Sequence, residues 1–159
     1  MERIDVYFGL GSNLGNRREN LLEAVSLLDK ALGRHKALSA LFETEAQGFD
    51  GPPFSNACVR YRIPRMASPV AHGLELLRLV KGVEKTLGRE EVPLFDADGR
   101  RIYQSRPIDI DILFYGTQTI QTQTLTVPHP RISQREYVLL PLREVAKRDL
   151  IKAFPELFV

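Results

Sequence analysis

The sequence RPIDIDILFYG, at Arg106–Gly116, begins with the strict alternation of apolar and charged residues that is typical of a half-buried β-strand. Its isoleucines point to one face of the predicted strand, and Asp109 and Asp111 point to the other. At ~3.3 Å per residue the two carboxylates would lie roughly 6–7 Å apart, and anions that close repel each other unless a cation lies between them or one binds a proton. Because Arg106 precedes them, the stretch predicts a site for Mg²⁺ and a polyphosphate. The alternative is a solvent-exposed strand face, which is weakened because the same face continues into Leu113 and Tyr115, two residues we expect to be buried.

Five further segments before this strand carry the periodicity of regular structure. Buried or alternating apolar runs predict strands, and apolar residues every three or four positions predict helices. The predicted elements are a strand at Ile4–Leu10, a helix at Asn20–Leu32, strands at Ala37–Thr44 and Phe54–Ile63, and a helix from the cap Ser68 to about Leu87. With the acidic strand, this order is the βαββαβ pattern of a ferredoxin-like α+β sandwich, an antiparallel sheet with two helices on one face.

The core-facing side of the second helix and three segments outside the βαββαβ pattern complete the prediction. In the second helix, the residues predicted to face the core are Val70, Leu74, Leu77, Val80, Val83 and Leu87. Residues 90–105 are polar and are expected to form an irregular, mobile lid. Gln134–Lys147 is expected to be a helix interrupted at Pro141, and the apolar tail Leu150–Val159 is expected to dock on the body as part of a C-terminal extension.

Length and composition indicate one soluble domain spanning residues 1–159, with 43% hydrophobic and 26% charged residues. A net charge of +2 is too small to indicate nucleic-acid binding, although arginines cluster after residue 99. The single cysteine, Cys58, excludes an internal disulfide and is expected in the core. The first ten residues carry charges unlike a signal peptide, and no apolar run approaches the ~20 residues that span a bilayer. We therefore expect a cytoplasmic monomer that binds neither nucleic acid nor membrane.

Three features allow both a structural and a functional interpretation. The glycine-rich segment Gly9–Asn16 is neither a P-loop nor a dinucleotide fingerprint, so it is either a turn with Asn16 capping a helix or a ligand-lining loop. Asn56, at the start of a strand, could read a polar heterocycle with its amide or cap a turn. His129, between two prolines and close to Arg131, could be structural or catalytic.

These residues alone do not decide between several classes of protein. An Asp-x-Asp pair is used by nucleases, glycosyltransferases and kinases. The alternatives to a phosphoryl-transfer enzyme are a metal-dependent nuclease and a non-catalytic ferredoxin-like module that binds RNA or a small regulatory ligand. That module would not need Asp109 and Asp111 beside Arg106.

Taken together, the segments resemble the 6-hydroxymethyl-7,8-dihydropterin pyrophosphokinases. The resemblance extends from Gly11-Ser12-Asn13-Leu14 to the helix after Arg135. Its most specific part is Arg106-x-x-Asp109-x-Asp111-Ile112-x-x-x-Gly116 followed by Leu125-Thr126-Val127-Pro128-His129. The family implies ATP-dependent transfer of an intact pyrophosphate to the hydroxymethyl oxygen of the pterin, which leaves AMP, in folate biosynthesis.

The resemblance also implies a role for individual residues. Asp109 and Asp111 would hold two Mg²⁺ ions, and Arg89 and Arg106 would contact phosphates. The ATP site would be lined by Glu84, Arg106, Ile112, Thr126, His129 and Arg135. The pterin would be bound by Thr44, Glu45, Gln47, Phe54, Asn56, Tyr103, Asp109 and Tyr137, with aromatic residues stacking on the ring and Asn56 reading its edge.

Five stretches depart from the family pattern. Glu45-Ala46-Gln47 replaces a proline-rich turn after Thr44. Tyr103-Gln104-Ser105 replaces the common Trp-Gly-Pro, Pro107 stands where a small or hydroxylated residue is usual, and Pro130 stands where an aromatic residue is common. Glu90-Glu91 occupies the place of a second lid arginine. We expect Arg100 or Arg101 to substitute for that arginine.

Overall fold

The computed structural model describes residues 2–45, 52–88, 94–102 and 107–159 and has the predicted mixed architecture of helices and antiparallel strands. Its strands are β1 (Arg3–Ser12), β2 (Ala37–Leu38), β3 (Phe42–Thr44), β4 (Phe54–Pro64), β5 (Leu94–Phe95), β6 (Arg101–Ile102), β7 (Asp109–Tyr115), β8 (Ile120–Gln121) and β9 (Thr126–Val127). Its α-helices are α1 (Arg17–Leu32), α2 (Pro69–Thr86), α3 (Glu136–Val145) and α4 (Arg148–Ala153). Short 3₁₀ turns lie at Ile132–Gln134 and Pro155–Phe158.

The main sheet has the strand order β2-β4-β1-β7, with β3 also paired to β4, and its pairings are antiparallel. It separates two apolar cores. The inner core lies against α1 and α2 and includes Val6, Phe8, Val59 and Ile110. The outer core lies on the opposite face, under the C-terminal segment. The ferredoxin-like prediction is confirmed, and the C-terminal extension covers the face that the two helices leave uncovered.

A β-bulge near the end of β7 decides which face its last residues occupy. Phe8 pairs with Ile112 and Tyr7 pairs with Phe114, so Leu113 is an extra residue on β7. A bulge inverts the alternation beyond it. Leu113 packs in the outer core as expected, but Tyr115 packs in the inner core, so its predicted placement on the aspartate face is wrong.

The two long helices begin at the expected caps. Asn16 accepts a hydrogen bond from the backbone N–H of Glu19, which confirms it as the cap of α1, and Ser68 accepts one from Ala71 at the start of α2. The buried face of α2 differs from the prediction, since Val70 is 43% exposed. Its buried residues are His72, Gly73, Leu76, Val80, Val83 and Glu84. Of the other predicted residues, Val80 and Val83 are buried, and Leu74, Leu77 and Leu87 pack partly buried against the inner core, so the predicted face is otherwise confirmed. Apolar periodicity missed His72, Gly73 and Glu84 because they are not apolar.

Two other segments differ from the prediction. The single strand expected at Ala37–Thr44 is split into β2 and β3. Within the expected irregular lid, the described residues 94–102 form a hairpin of β5 and β6, whose turn is closed by Asp96 Oδ1 accepting from the N–H groups of Asp98 and Arg100.

The C-terminal segment is fastened to the outer face of the sheet by buried charge. Asp5 is 6% exposed and pairs with Arg60 at 3.1 Å and with Arg62 and Lys147 at 3.2 Å each. Helix α3 continues through Pro141, so the predicted interruption there is wrong, and the tail packs on the outer core as expected. Among the described residues, no helix combines the length and apolar character needed to cross a membrane.

Candidate active site

An open cavity of about 760 Å³ lies on the outer face of the sheet, beside α3. The cavity reaches down to the backbone of β1, because Gly9 and Gly11 carry no side chains that would fill it. Every predicted site residue that the structure describes lines this cavity. They are Thr44, Glu45, Phe54, Asn56, Glu84, Asp109, Asp111, Ile112, Thr126, His129, Arg135 and Tyr137. Residues distant in the sequence therefore meet at one place, as the resemblance implied.

Asp109 and Asp111 lie on β7, with their side chains toward the cavity. Both are half-buried, whereas Ile108, Ile110 and Ile112 between and beside them are buried, so the alternation predicted from the sequence is confirmed. Asp111 Oδ1 lies 3.8 Å from Nε2 of His129. The strand thus presents two carboxylates to the cavity while its other face is fixed in the inner core.

Helix α2 holds the backbone of the acidic strand from the side. Glu84 is 2% exposed, and its Oε2 accepts a hydrogen bond of 2.9 Å from the backbone N–H of Ile110. This N–H lies between the two aspartates, at the edge of the sheet. A hydrogen bond from a backbone N–H to a buried carboxylate is strong. Glu84 therefore helps to hold β7 in its position beside the cavity.

The turn after β9 holds His129 in a defined tautomer. Its backbone N–H donates to the carbonyl of Leu113 at 3.0 Å, and its Nδ1 accepts from the N–H of Arg131 at 3.3 Å. Because Nδ1 accepts, the proton of the neutral ring is on Nε2, the atom nearer to Asp111. Burial lowers the pKa of His129, Arg135 and Arg131 lower it further, and Asp109 opposes them. The neutral ring is therefore favoured at neutral pH.

The start of α3 contributes a cation and an aromatic ring. The guanidinium carbon of Arg135 lies 5.5 Å from the centroid of the Tyr137 ring, within the range of a cation–π contact. Burial raises the pKa of Tyr137, so its phenol stays protonated. Arg131 and Arg135 line the same cavity as Asp109 and Asp111. Such a combination of cations and carboxylates is suited to a polyanion that binds together with a metal ion.

A second part of the cavity, across Gly11 from Asp109, is built around Asn56, which is 6% exposed. Its amide nitrogen donates to the carbonyl of Phe42 at 3.2 Å and to Oγ1 of Thr44 at 3.0 Å. These bonds secure β3 and fix the orientation of the amide. A Cβ at Gly11 would lie 3.3 Å from Asn56 Oδ1 and 3.5 Å from the ring of Phe54, so a side chain there would press on the amide oxygen of Asn56.

Sequence reasoning did not assign some residues that line the cavity. They are Lys81, Gln123, Thr124 and Cys58, and Arg131 was noted only as a neighbour of His129. Gly9 and Gly11 also line it, and they belong to the segment for which a ligand-lining loop was one alternative. Lys81 follows Leu77 and precedes Glu84 on one face of α2, which is a helical spacing that could have found it. Four predicted site residues, Gln47, Arg89, Tyr103 and Arg106, lie outside the described residues. The side chain of Arg101 is also outside them, and Arg100 is exposed on the β5–β6 turn.

The sequence model of the 7,8-dihydro-6-hydroxymethylpterin-pyrophosphokinase family matches residues 7–147. The chain is 38% identical over 143 residues to a 2-amino-4-hydroxy-6-hydroxymethyldihydropteridine pyrophosphokinase from Porphyromonas gingivalis, covering 89% of this chain and 90% of that one. The corresponding protein from Aquifex aeolicus is 36% identical over 141 residues, with 88% and 79% covered. A folate synthesis bifunctional protein from Arabidopsis thaliana is 42% identical over 142 residues, which cover 87% of this chain and 26% of that protein.

Solved structures give the same likeness at the level of the fold. An HPPK-DHPS in complex with substrates superimposes with a TM-score of 0.65 at 15% identity, covering 99% of this chain and 43% of that one. The wild-type HPPK-DHPS of Plasmodium falciparum gives a TM-score of 0.66 at 15% identity, with 44% of its chain covered. The present chain thus spans less than half of these solved chains.

Proposed function

Because the chain belongs to the 7,8-dihydro-6-hydroxymethylpterin-pyrophosphokinase family, it transfers pyrophosphate from ATP to hydroxymethyldihydropterin in folate biosynthesis, and we propose that both substrates bind in the cavity on the outer face of the sheet. The observation that supports this assignment is the convergence of the described site residues on one cavity. In the reaction, the hydroxymethyl oxygen forms a bond to the β-phosphorus of ATP. The bond from that phosphorus to the oxygen bridging the α-phosphate breaks, AMP leaves with that oxygen, and the proton of the hydroxyl group is released to solvent.

The triphosphate is assigned to the end of the cavity where cations and carboxylates lie together. Arg135, Arg131 and His129 line the cavity, and we propose that the two guanidinium groups pair with phosphate oxygens and that Nε2–H of neutral His129 donates to another. Thr126 and Ile112 line the same end of the cavity. Arg89 and Arg106, outside the described residues, are proposed as further phosphate contacts on the basis of the sequence.

Two Mg²⁺ ions are proposed at Asp109 and Asp111. Both side chains point to the cavity and are oxygen ligands of the kind that Mg²⁺ prefers. Within the described part of the chain, no group of three or more His, Cys, Asp or Glu side chains could hold a metal by itself. This donor set fits Mg²⁺, which is commonly held by one or two carboxylates together with phosphate and water oxygens. Such ions would neutralise charge on the phosphates as the transfer proceeds.

The pterin is assigned to the end built from Asn56, Thr44, Glu45, Phe54 and Tyr137. Half-buried aromatic rings provide flat apolar faces, and a buried amide of fixed orientation can recognise the edge of a polar heterocycle. Gln47 and Tyr103 are proposed from the sequence as further contacts at this end.

The test is incubation of the purified chain with ATP, MgCl₂ and 6-hydroxymethyl-7,8-dihydropterin, followed by separation of the nucleotides. We expect AMP and the pterin diphosphate in equal amounts, and no ADP. ADP would indicate transfer of a single phosphoryl group, and intact ATP from a folded chain would refute the assignment. The cytoplasmic location, the monomeric state and the lack of nucleic-acid binding stay predictions from the sequence.

A further inference from the structure

The last pair of the β3–β4 ladder lies directly at the proposed pterin site. Thr44 pairs with Phe54, and both line the cavity. The neighbours of this pair are Glu43, one residue earlier on β3, and Pro53, one residue before β4. A contact that fixes the distance between Glu43 and Pro53 therefore also constrains the positions of their neighbours Thr44 and Phe54.

One side chain from α1 joins these two positions. Arg17 donates from Nη2 to Oε1 of Glu43 at 2.7 Å and from Nη1 to the carbonyl oxygen of Pro53 at 2.9 Å. An exposed ion pair alone contributes little. A planar guanidinium that bridges two groups is different, because both distances must be satisfied by one rigid fork.

The turn that presents Arg17 is itself well fixed. Asn13 is 1% exposed and donates to the carbonyl of Pro52 at 3.1 Å, next to the carbonyl that Arg17 binds. Asn20 donates to the carbonyl of Leu14 at 2.8 Å, which holds the turn before α1. The segment after β1 is thus connected to the strand pair at three points: Pro52, Pro53 and Glu43.

We propose that Arg17 is a positioning residue for the pterin end of the site, acting through Glu43 and Pro53 on Thr44 and Phe54. This inference rests on the proposed function of the cavity. Arg17 does not line the cavity and touches no reacting group. Its contribution is to hold the strand pair in the geometry that binds the ring, so that the ordering is completed before the substrate arrives.

The test compares Arg17→Ala with Arg18→Ala, which removes the same charge from the adjacent, exposed position of the same helix. We expect Arg17→Ala to raise KM and Kd for the dihydropterin about five- to tenfold, the effect of losing one charge-assisted contact. KM for ATP should change less than about twofold, because Arg17 bonds to Glu43 and Pro53, and neither of these residues is assigned to the triphosphate. Arg18→Ala should leave all three constants near those of the unmodified chain.

A double-mutant cycle with Glu43→Ala adds a second measurement. If the ion pair acts as proposed, Arg17→Ala/Glu43→Ala should raise the Kd for the pterin by less than the product of the two single effects. Equal pterin constants for the Arg17 and Arg18 variants, or an equal rise in KM for pterin and ATP, would overturn the inference. The Kd for the pterin is measured by calorimetry and does not depend on turnover. If the chain bound the pterin but made no AMP, the proposed transfer would be refuted, and the Kd values of the variants would still test the role of Arg17.

Discussion

The backbone N–H of Ile110 donates a 2.9 Å hydrogen bond to Oε2 of Glu84, so a buried carboxylate on helix α2 is bonded to the strand between its two aspartates. An edge strand normally leaves such donors to water or to another strand. Here the donor is satisfied by a buried side chain, so separating the two would leave a buried backbone N–H without this acceptor. The position of the proposed metal ligands is therefore determined by α2 as well as by the sheet.

Replacing Glu84 by alanine is expected to damage stability and turnover together. The buried N–H of Ile110 would lose its acceptor, which typically costs about 1–3 kcal/mol, and β7 would lose its lateral support. Glu84→Gln is the matched control, because its amide oxygen can still accept that bond. In urea unfolding and in AMP production, the unmodified chain should rank first, Glu84→Gln second and Glu84→Ala last. Equal loss of stability in both variants would show that the charge matters and the acceptor does not.

Asparagine at Asp109 or Asp111 is expected to abolish turnover while leaving the fold intact. The substitution keeps the shape of each side chain and relieves repulsion between like charges, so the free energy of unfolding should change by less than about 1 kcal/mol. The rate of AMP formation should fall by about two orders of magnitude or more, since the proposed Mg²⁺ contacts would be lost. Asp98→Asn, on the exposed β5–β6 turn, is the control for charge alone. Full activity in either active-site variant would contradict the metal assignment.

Buried His72 is expected to make stability depend on pH in mildly acidic solution. Its Nδ1 lies 2.6 Å from the hydroxyl oxygen of Tyr115. Burial lowers the pKa of His72 below its ordinary value of 6.5, and nearby Glu75 opposes this in part. Between the folded pKa and 6.5, the unfolded chain binds a proton that the folded chain does not. The free energy of unfolding should therefore be largest above that window and should fall as the pH drops through it.

The variant His72→Asn isolates the contribution of His72 to the pH dependence. Its amide oxygen can accept a hydrogen bond from the Tyr115 hydroxyl group, but the side chain does not titrate. Urea unfolding at about pH 7.5 and about pH 5 should show a smaller loss of stability for the variant than for the unmodified chain. Equal losses in both would show that other groups cause the pH dependence.

The two glycines within α2 are expected to respond in opposite directions to the same substitution. A Cβ at Gly82 would meet no heavy atom within 4 Å, so alanine there should raise the free energy of unfolding by about 0.5–1 kcal/mol. A Cβ at Gly73 would lie 3.0 Å from side-chain atoms of Ile120 and Leu125. Those groups would have to move, and overpacking of this kind costs about 1–3 kcal/mol. Thermal unfolding of both variants checks the pair, and destabilisation by Gly82→Ala would contradict the first half.

Periodicity in the sequence predicted the faces of β7 as far as Leu113 and could not predict them further. The alternation of isoleucine and aspartate is a local signal, and it is confirmed. The bulge at Leu113 depends on how β1 pairs with β7, which is a tertiary property, so Tyr115 was placed on the wrong face. The split between β2 and β3 was hidden for the same reason, since both pair with β4 and no turn signal separates them.

The site shows a similar division between local and tertiary information. Hydrophobic patterning cannot assign a buried polar residue to a core face, so it missed His72, and Glu84 entered the prediction only through the family resemblance. Asn16 was correctly predicted as a helix cap because a cap acts within one turn. The contact of Arg17 with Glu43 joins residues far apart in the chain, and nothing in either local sequence indicates it.

The cavity lies where the βαββαβ sandwich meets the segment that follows β7, and neither part contains a whole site. The aspartates and Asn56 belong to the first part, whereas His129, Arg135 and Tyr137 belong to the second. The outer core that joins the two parts is apolar and draws residues from each. We expect two fragments split in the turn after β7 to be inert separately, because each would carry only part of the cavity lining.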